Sequence, residues 1–88
     1  MDGWLTSEKE GWTLRFHLDE KSWLRDPWMF IDKGREIGIG DPPLLKSRQH
    51  VRKVEARKLR RFLVQQGWVK TTPAWGQRLS LNSRQAGR

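Results

Sequence analysis

The sequence predicts an α+β domain: a small antiparallel sheet of three to four strands packed by one long C-terminal helix. Three observations predict it. Residues 12–18 alternate with period two, Trp12, Leu14, Phe16 and Leu18 sharing one face and Thr13, Arg15 and His17 the other. Residues 48–66 contain no glycine, proline or other breaker, and several of their apolar side chains recur on one helical arc. Glycine, proline and aspartate clusters cut the rest of the first half into short segments.

Taken in order, residues 3–6 read as a first strand and residues 7–11 as a polar turn closed by Gly11. The alternating strand follows. Residues 19–27 form a polar loop carrying Trp23. The unbroken apolar run Trp28, Met29, Phe30, Ile31 fits a central strand. Asp32, Lys33 and Gly34 read as a hairpin turn before a weaker strand near 35–39, which Gly38, Gly40, Pro42 and Pro43 then break. Ser47 is placed to cap the helix, without the Glu or Gln of a capping box because His50 stands there. Gly67 fits the left-handed position after the helix, with Trp68 packing back on Leu63. On the helix, Val51, Leu59, Phe62 and Leu63 form the apolar arc that meets the sheet, with Val54 at its edge; Glu55 falls inside it, so either Glu55 stands at a boundary or the arc is narrower. Residues 68–70 suit a short extended segment against the sheet.

Composition bounds the chemistry. Of 88 residues, 35% are hydrophobic and 32% charged, with a mean hydropathy of −0.85, so the core is modest. No apolar run reaches the ~18–20 residues of a membrane span, and no secretory signal opens the chain. Zero cysteines exclude disulfides, thiolate catalysis and zinc fingers. His17 and His50 share no ligand spacing, so no metal or other cofactor is expected. Neither a nucleophile elbow nor a Walker loop is present, and Gly34, Gly38 and Gly40 do not make a dinucleotide fingerprint. His17 with Asp19 or Asp32 is the one acid–base pair to suggest itself, and surface histidines beside acids are ordinarily just solvated. No enzyme is expected.

Charge is the strongest functional lead. Residues 1–45 hold six Lys/Arg against nine Asp/Glu, giving −3; residues 46–88 hold twelve against one, giving +11. A polyanion partner explains such asymmetry better than solubility does. Residues 48–61 carry seven Lys/Arg against Glu55 alone, whereas a helix selected for solubility would interleave acids at i,i+4 spacing. Lys53, Arg57, Arg60 and Arg61 cluster opposite the apolar arc, interrupted by Val64. Six tryptophans are many for so short a chain. Trp12 and Trp28 are expected in the core, Trp23 and Trp75 at least partly exposed, where they suit base stacking or docking on a protein.

Gly3-Trp4-Leu5, the run Trp12 to His17, Asp26-Pro27-Trp28 through Gly34, Pro43 through Arg48, and Gln66-Gly67-Trp68 resemble a family of short proteins from marine picocyanobacteria. That family is catalogued as a domain of unknown function. The resemblance spans about residues 3–75, implies an intracellular cyanobacterial setting, and carries no catalytic residues across.

Residues 1–75 are thus expected as a single compact domain and residues 76–88 as a basic mobile tail. The expected function is nucleic-acid binding, double-stranded DNA with low sequence specificity, through the basic helix face; DNA is favoured over RNA. Lys53, Arg57, Arg60 and Arg61 would contact phosphates, aided by Arg48, Arg52 and the tail arginines Arg78, Arg84 and Arg88. Arg15 and His17, on the outward sheet face, are candidate base readers. Helix and outward face are expected on opposite sides of the domain. The location implied is cytoplasmic and nucleoid-associated, with no membrane partner, and a homodimer is left open. The alternative is a protein-interaction module docking through exposed tryptophans.

Overall fold

The computed structural model describes residues 2–37 and 41–75. Five strands and one helix follow in the order β1 (Gly3–Ser7), β2 (Trp12–Leu18), β3 (Trp28–Arg35), β4 (Leu44–Arg52), α1 (Lys53–Gln65) and β5 (Val69–Lys70). The strands form one antiparallel sheet ordered β4-β3-β2-β1-β5. The first four make a meander, and α1 carries the chain from the β4 edge to the β1 edge. The α+β class holds, with five strands rather than three or four. The helix spans 13 residues and is followed by a strand, so it is neither as long as expected nor the last element.

Two expectations fail together, for one reason. Asp32, Lys33 and Gly34 do not turn the chain; they extend β3, with a bulge between Lys33 and Gly34. The longer strand offers an unpaired ladder edge, and residues 44–52 fill it as β4. Ser47 is therefore a strand residue and no cap, and Arg48 and Arg52 belong to β4, not to the helix. Of the weak strand expected near 35–39, Arg35 ends β3, while residues 38–40 lie outside the described residues. Ladder pairing overrides local helix propensity here. The Lys53 N–H donates to the Pro27 carbonyl (2.9 Å), carrying that pairing to the start of α1. Arg52 stands at the N-cap without a side-chain capping bond.

The helix ends as expected. Gly67 takes φ +103°, its N–H donates to the Val64 carbonyl (3.1 Å), and the Trp68 N–H donates to the Leu63 carbonyl (3.0 Å). Both bonds of a Schellman motif are made. Trp68 and Leu63 pack against the core with Val51 and Leu59.

Leu5, Leu14, Phe16, Met29, Ile31 and Ala56 are the buried core between sheet and helix. Period two selects the sheet residues, and only Ala56 of α1 is fully buried, which lets the helix lie close. Phe62 does not meet the sheet: it is 55% exposed, and Val54 is exposed too. The apolar arc is narrower than the full sequence pattern suggests, and Glu55 lies outside it, exposed.

The tryptophans redistribute. Trp75, expected partly exposed, is buried on the sheet face opposite α1, edge-on to Trp4 at 4.6 Å. It packs over Gly34, where a side chain would collide with the Leu44 carbonyl. Trp12 and Trp28 are half-buried and stand outside the core. Lys33, Arg35 and Lys46 surround the Trp12 ring at 5.4, 4.9 and 5.0 Å. Trp23 is exposed, as expected. The tail, residues 76–88, lies outside the described residues.

Candidate nucleic-acid interface

Strand parity decides which side chains share the face opposite α1. Register sets Trp4, Arg15, Asp32 and Arg48 side by side across β1 to β4. The next row is His17, Phe30 and His50, followed by Trp28 and Arg52. Alternation along each strand keeps all nine on one side. Trp75 covers the end of this face near Gly34. Among the described residues, no helix or strand packs on the remainder.

The middle row is aromatic and continuous. Phe30 stacks on His50 with ring centroids 4.6 Å apart and planes 20° from parallel. His17 adjoins Phe30 at 5.5 Å, and Trp28 adjoins His50 at 4.8 Å. Guanidinium groups lie over these rings: Arg48 over Phe30 at 4.7 Å, Arg52 over Trp28 at 5.8 Å and Arg15 over Trp4 at 5.5 Å. Rings and guanidinium planes are both surfaces on which bases stack.

Asp32 anchors the arrangement from beneath. Arg48 grips its carboxylate with two bonds, Nε to Oδ1 at 2.6 Å and Nη2 to Oδ2 at 2.9 Å. The His17 Nε2 meets Oδ2 at 2.8 Å. Burial by itself would raise the Asp32 pKa, but the hydrogen bonds from Arg48 and His17 outweigh it and hold the carboxyl below its ordinary value. The same pairing raises the Arg48 pKa. Asp19, in the loop after β2, meets the His50 Nε2 at 2.9 Å. Its pKa is lowered by the Lys21 backbone N–H and, more weakly, by His50, against an opposing effect of burial. The His17–Asp32 contact weighed on the sequence does exist, but the same carboxylate is shared with Arg48.

The cations expected on one helix face divide. Arg48 and Arg52 join Arg15 and His17 on the sheet face, the surface expected to lie apart from the helix cations. Arg57 and Arg61 are exposed on α1, and no described carboxylate pairs with either. Lys53 and Arg60 are half-buried, and the Arg60 guanidinium lies against β1 at Gly3. Arg25, Arg52, Lys53 and Arg57 line one shallow groove with Asp26 at the β4–α1 junction. That groove joins the sheet face to the helix, so the two surfaces meet at this end of the domain. Arg78, Arg84 and Arg88 lie outside the described residues.

Phe30, Trp28, His50 and Asp32 are the residues of this candidate face that sequence reasoning missed. Arg48-x-His50-x-Arg52 has period two and was the available signal; reading the same stretch as helix hid it. Among the described residues no three metal-type ligands converge, and no helix is long and apolar enough to cross a membrane.

Residues 2–75 match the model of a family described as "Protein of unknown function (DUF1651)". No curated protein and no solved structure matches the chain.

Proposed function

The chain belongs to this family, whose description assigns no activity, and from its own geometry we propose that it binds nucleic acid across the uncovered sheet face, single strands before duplexes. The observation that supports the reading is the row His17–Phe30–His50–Trp28 with Arg48 and Arg52 laid over its rings. A row of stacked rings overlaid by guanidinium planes suits unstacked bases, which duplexes do not present. Arg15, Arg52, Lys53 and Arg57 flank it as phosphate contacts. The domain extends over residues 1–75 in this proposal, with the tail arginines adding charge. A cytoplasmic, nucleoid-associated place and the marine picocyanobacterial setting implied by the resemblance go with the same reading. No catalytic role is proposed.

Duplex DNA bound through α1 is the second reading, supported by the exposed and unneutralised Arg57 and Arg61. Fluorescence anisotropy with an oligoribonucleotide, an oligodeoxynucleotide and the matching duplex separates the two. The sheet-face reading expects single strands to bind best and His50→Ala to weaken them roughly ten-fold, within the usual stacking contribution. Preference for duplex, untouched by His50→Ala and lost in Arg57→Gln/Arg61→Gln, would transfer the function to the helix. No binding to any of the three would leave docking on a protein through Trp23 as the account.

A further inference from the structure

At the end of the open face, Asp19, Ser22, Trp23, Asp26, Trp28 and His50 line a cavity of about 410 Å³. Its size falls within the ~300–1,000 Å³ of small-ligand pockets. The loop that builds it is fixed by its own hydrogen bonds. The Asp19 N–H donates to the Trp28 carbonyl (2.9 Å), the Ser22 hydroxyl to the Asp19 carbonyl (2.6 Å), and the Trp28 N–H to the Ser22 Oγ (3.0 Å). The Asp26 N–H donates to the Trp23 carbonyl (3.1 Å), setting the carboxylate and the exposed indole at opposite ends of one turn.

The chemistry of the lining is unlike that of the surface around it. Two indoles and an imidazole offer stacking walls, and two carboxylates offer acceptors. Carboxylates repel phosphate, so the backbone of a strand is excluded from this cavity. The neighbouring groove, with Arg25, Arg52, Lys53 and Arg57, suits the phosphate instead.

The carboxylates are not equivalent. Both Asp19 oxygens are engaged at close range, Oδ1 by the Lys21 N–H at 3.0 Å and Oδ2 by His50 at 2.9 Å. Asp26 is half-exposed and only loosely held, by the Trp28 Nε1–H at 3.4 Å and Arg52 at 3.6 Å. It has acceptor capacity to spare. Among the bases, only guanine sets two adjacent donors, N1–H and the N2 amino group, on its pairing edge. Cytosine and adenine place an acceptor beside their amino group, and thymine and uracil flank one N–H with two acceptors.

We propose that this cavity takes a single unstacked guanine base, stacked against Trp23 and Trp28 and held on its pairing edge by the Asp26 carboxylate. The proposal rests on the single-strand reading and adds base selectivity to it. The test compares octathymidylate with the same octamer carrying one guanine, each titrated by anisotropy against the full chain. The guanine octamer should bind at least about five-fold tighter, the lower bound for a good bidentate base contact. Replacing guanine by hypoxanthine, which lacks the N2 amino group, should forfeit part of that gain. Asp26→Asn, which puts an amide donor in place of one acceptor oxygen, should abolish the gain, read as the ratio of the two octamers' affinities for the same variant, because loss of the charge beside Arg52 shifts phosphate affinity equally for both. Trp23→Ala, at an exposed position where folding is insensitive, should reduce it as well. If both octamers bind wild type alike, or the gain persists in Asp26→Asn, the guanine site is overturned and the single-strand reading stands. If neither octamer binds, both fail together.

Discussion

Asp32 shows how one buried carboxylate organises a surface made largely of cations and rings. It lies beneath Arg48 and beside His17, and its ionised form is the one those partners stabilise. Its pKa is below the ordinary value, so the linkage sign follows. The stabilisation is fully present above the ordinary carboxylate range near pH ~4 and is lost as pH falls through the depressed native value. Asp32→Asn should therefore cost about 1.5–3 kcal/mol at neutral pH, the range for hydrogen bonds to charged groups, and the gap from wild type should close in acid. Thermal melts between pH 7 and 2 measure this, and an offset constant with pH would contradict it. Asp19 retains part of the acid dependence in that variant, since its pKa is also lowered. Packing separates two phenylalanines just as sharply. Phe16→Ala, at a site 1% exposed, should cost about 3–5 kcal/mol, whereas Phe62→Ala, at 55% exposure, should stay within about 0.5 kcal/mol. Urea titration of both variants checks the contrast; equal losses would mean that α1 presents a different face to the sheet.

At the scale of elements, the β3–β4 pair decides the architecture. Gly34 sits at the register shift where β4 carries an extra residue, Lys46, and a Cβ there would lie 2.8 Å from the Leu44 carbonyl oxygen and 2.9 Å from a Leu45 methyl. Backbone does not yield as a flexible side chain does, so Gly34→Ala should cost about 1–3 kcal/mol by overpacking. Gly67→Ala is the useful comparison, because open space surrounds that position and only its φ of +103° resists a side chain. There the cost should be about 1–2 kcal/mol and should fall on the helix end alone. Amide hydrogen exchange distinguishes the two: Gly34→Ala should loosen β4 along its length, and Gly67→Ala should expose the amides of the last turn of α1. Protection of β4 unchanged in Gly34→Ala would mean that the bulge absorbs the added methyl.

Across the whole molecule, the charge asymmetry acquires a geometry. The basic second half supplies β4 on one edge of the sheet and α1 behind it, and the two meet where Arg52 leads into Lys53. If Arg15, Arg52, Lys53 and Arg57 neutralise about four phosphates of a single strand, log affinity should fall against log salt with a slope near −2.8. Arg52→Gln/Arg57→Gln should flatten that slope by about 1.4, while Arg61→Gln and Lys9→Gln should leave it alone. Titrations at four salt concentrations measure each slope. A slope unchanged in the double variant, or flattened equally by Arg61→Gln, would remove the junction groove from the interface.

How much of this was legible beforehand differs element by element. The sequence by itself determined β1, β2, the turn between them, the helical end at Gly67 and the outward placement of Arg15 and His17. Each of these rests on contacts a few residues apart, or on a period-two pattern that one strand displays alone. It also determined the charge asymmetry, which no folding alters. Only the tertiary structure decided that Arg48 and Arg52 stand on a strand, that Phe30 and His50 stack, and that Trp75 is buried while Phe62 is not. Residues 48–52 carry no local veto against helix. What turns them into β4 is a ladder with β3 and the carboxylate of Asp32, sixteen residues from Arg48 in sequence. Such partners are adjacent only after the chain has closed on itself, and the short period-two run from Arg48 to Arg52 neither excludes a helix nor names the strand it pairs with.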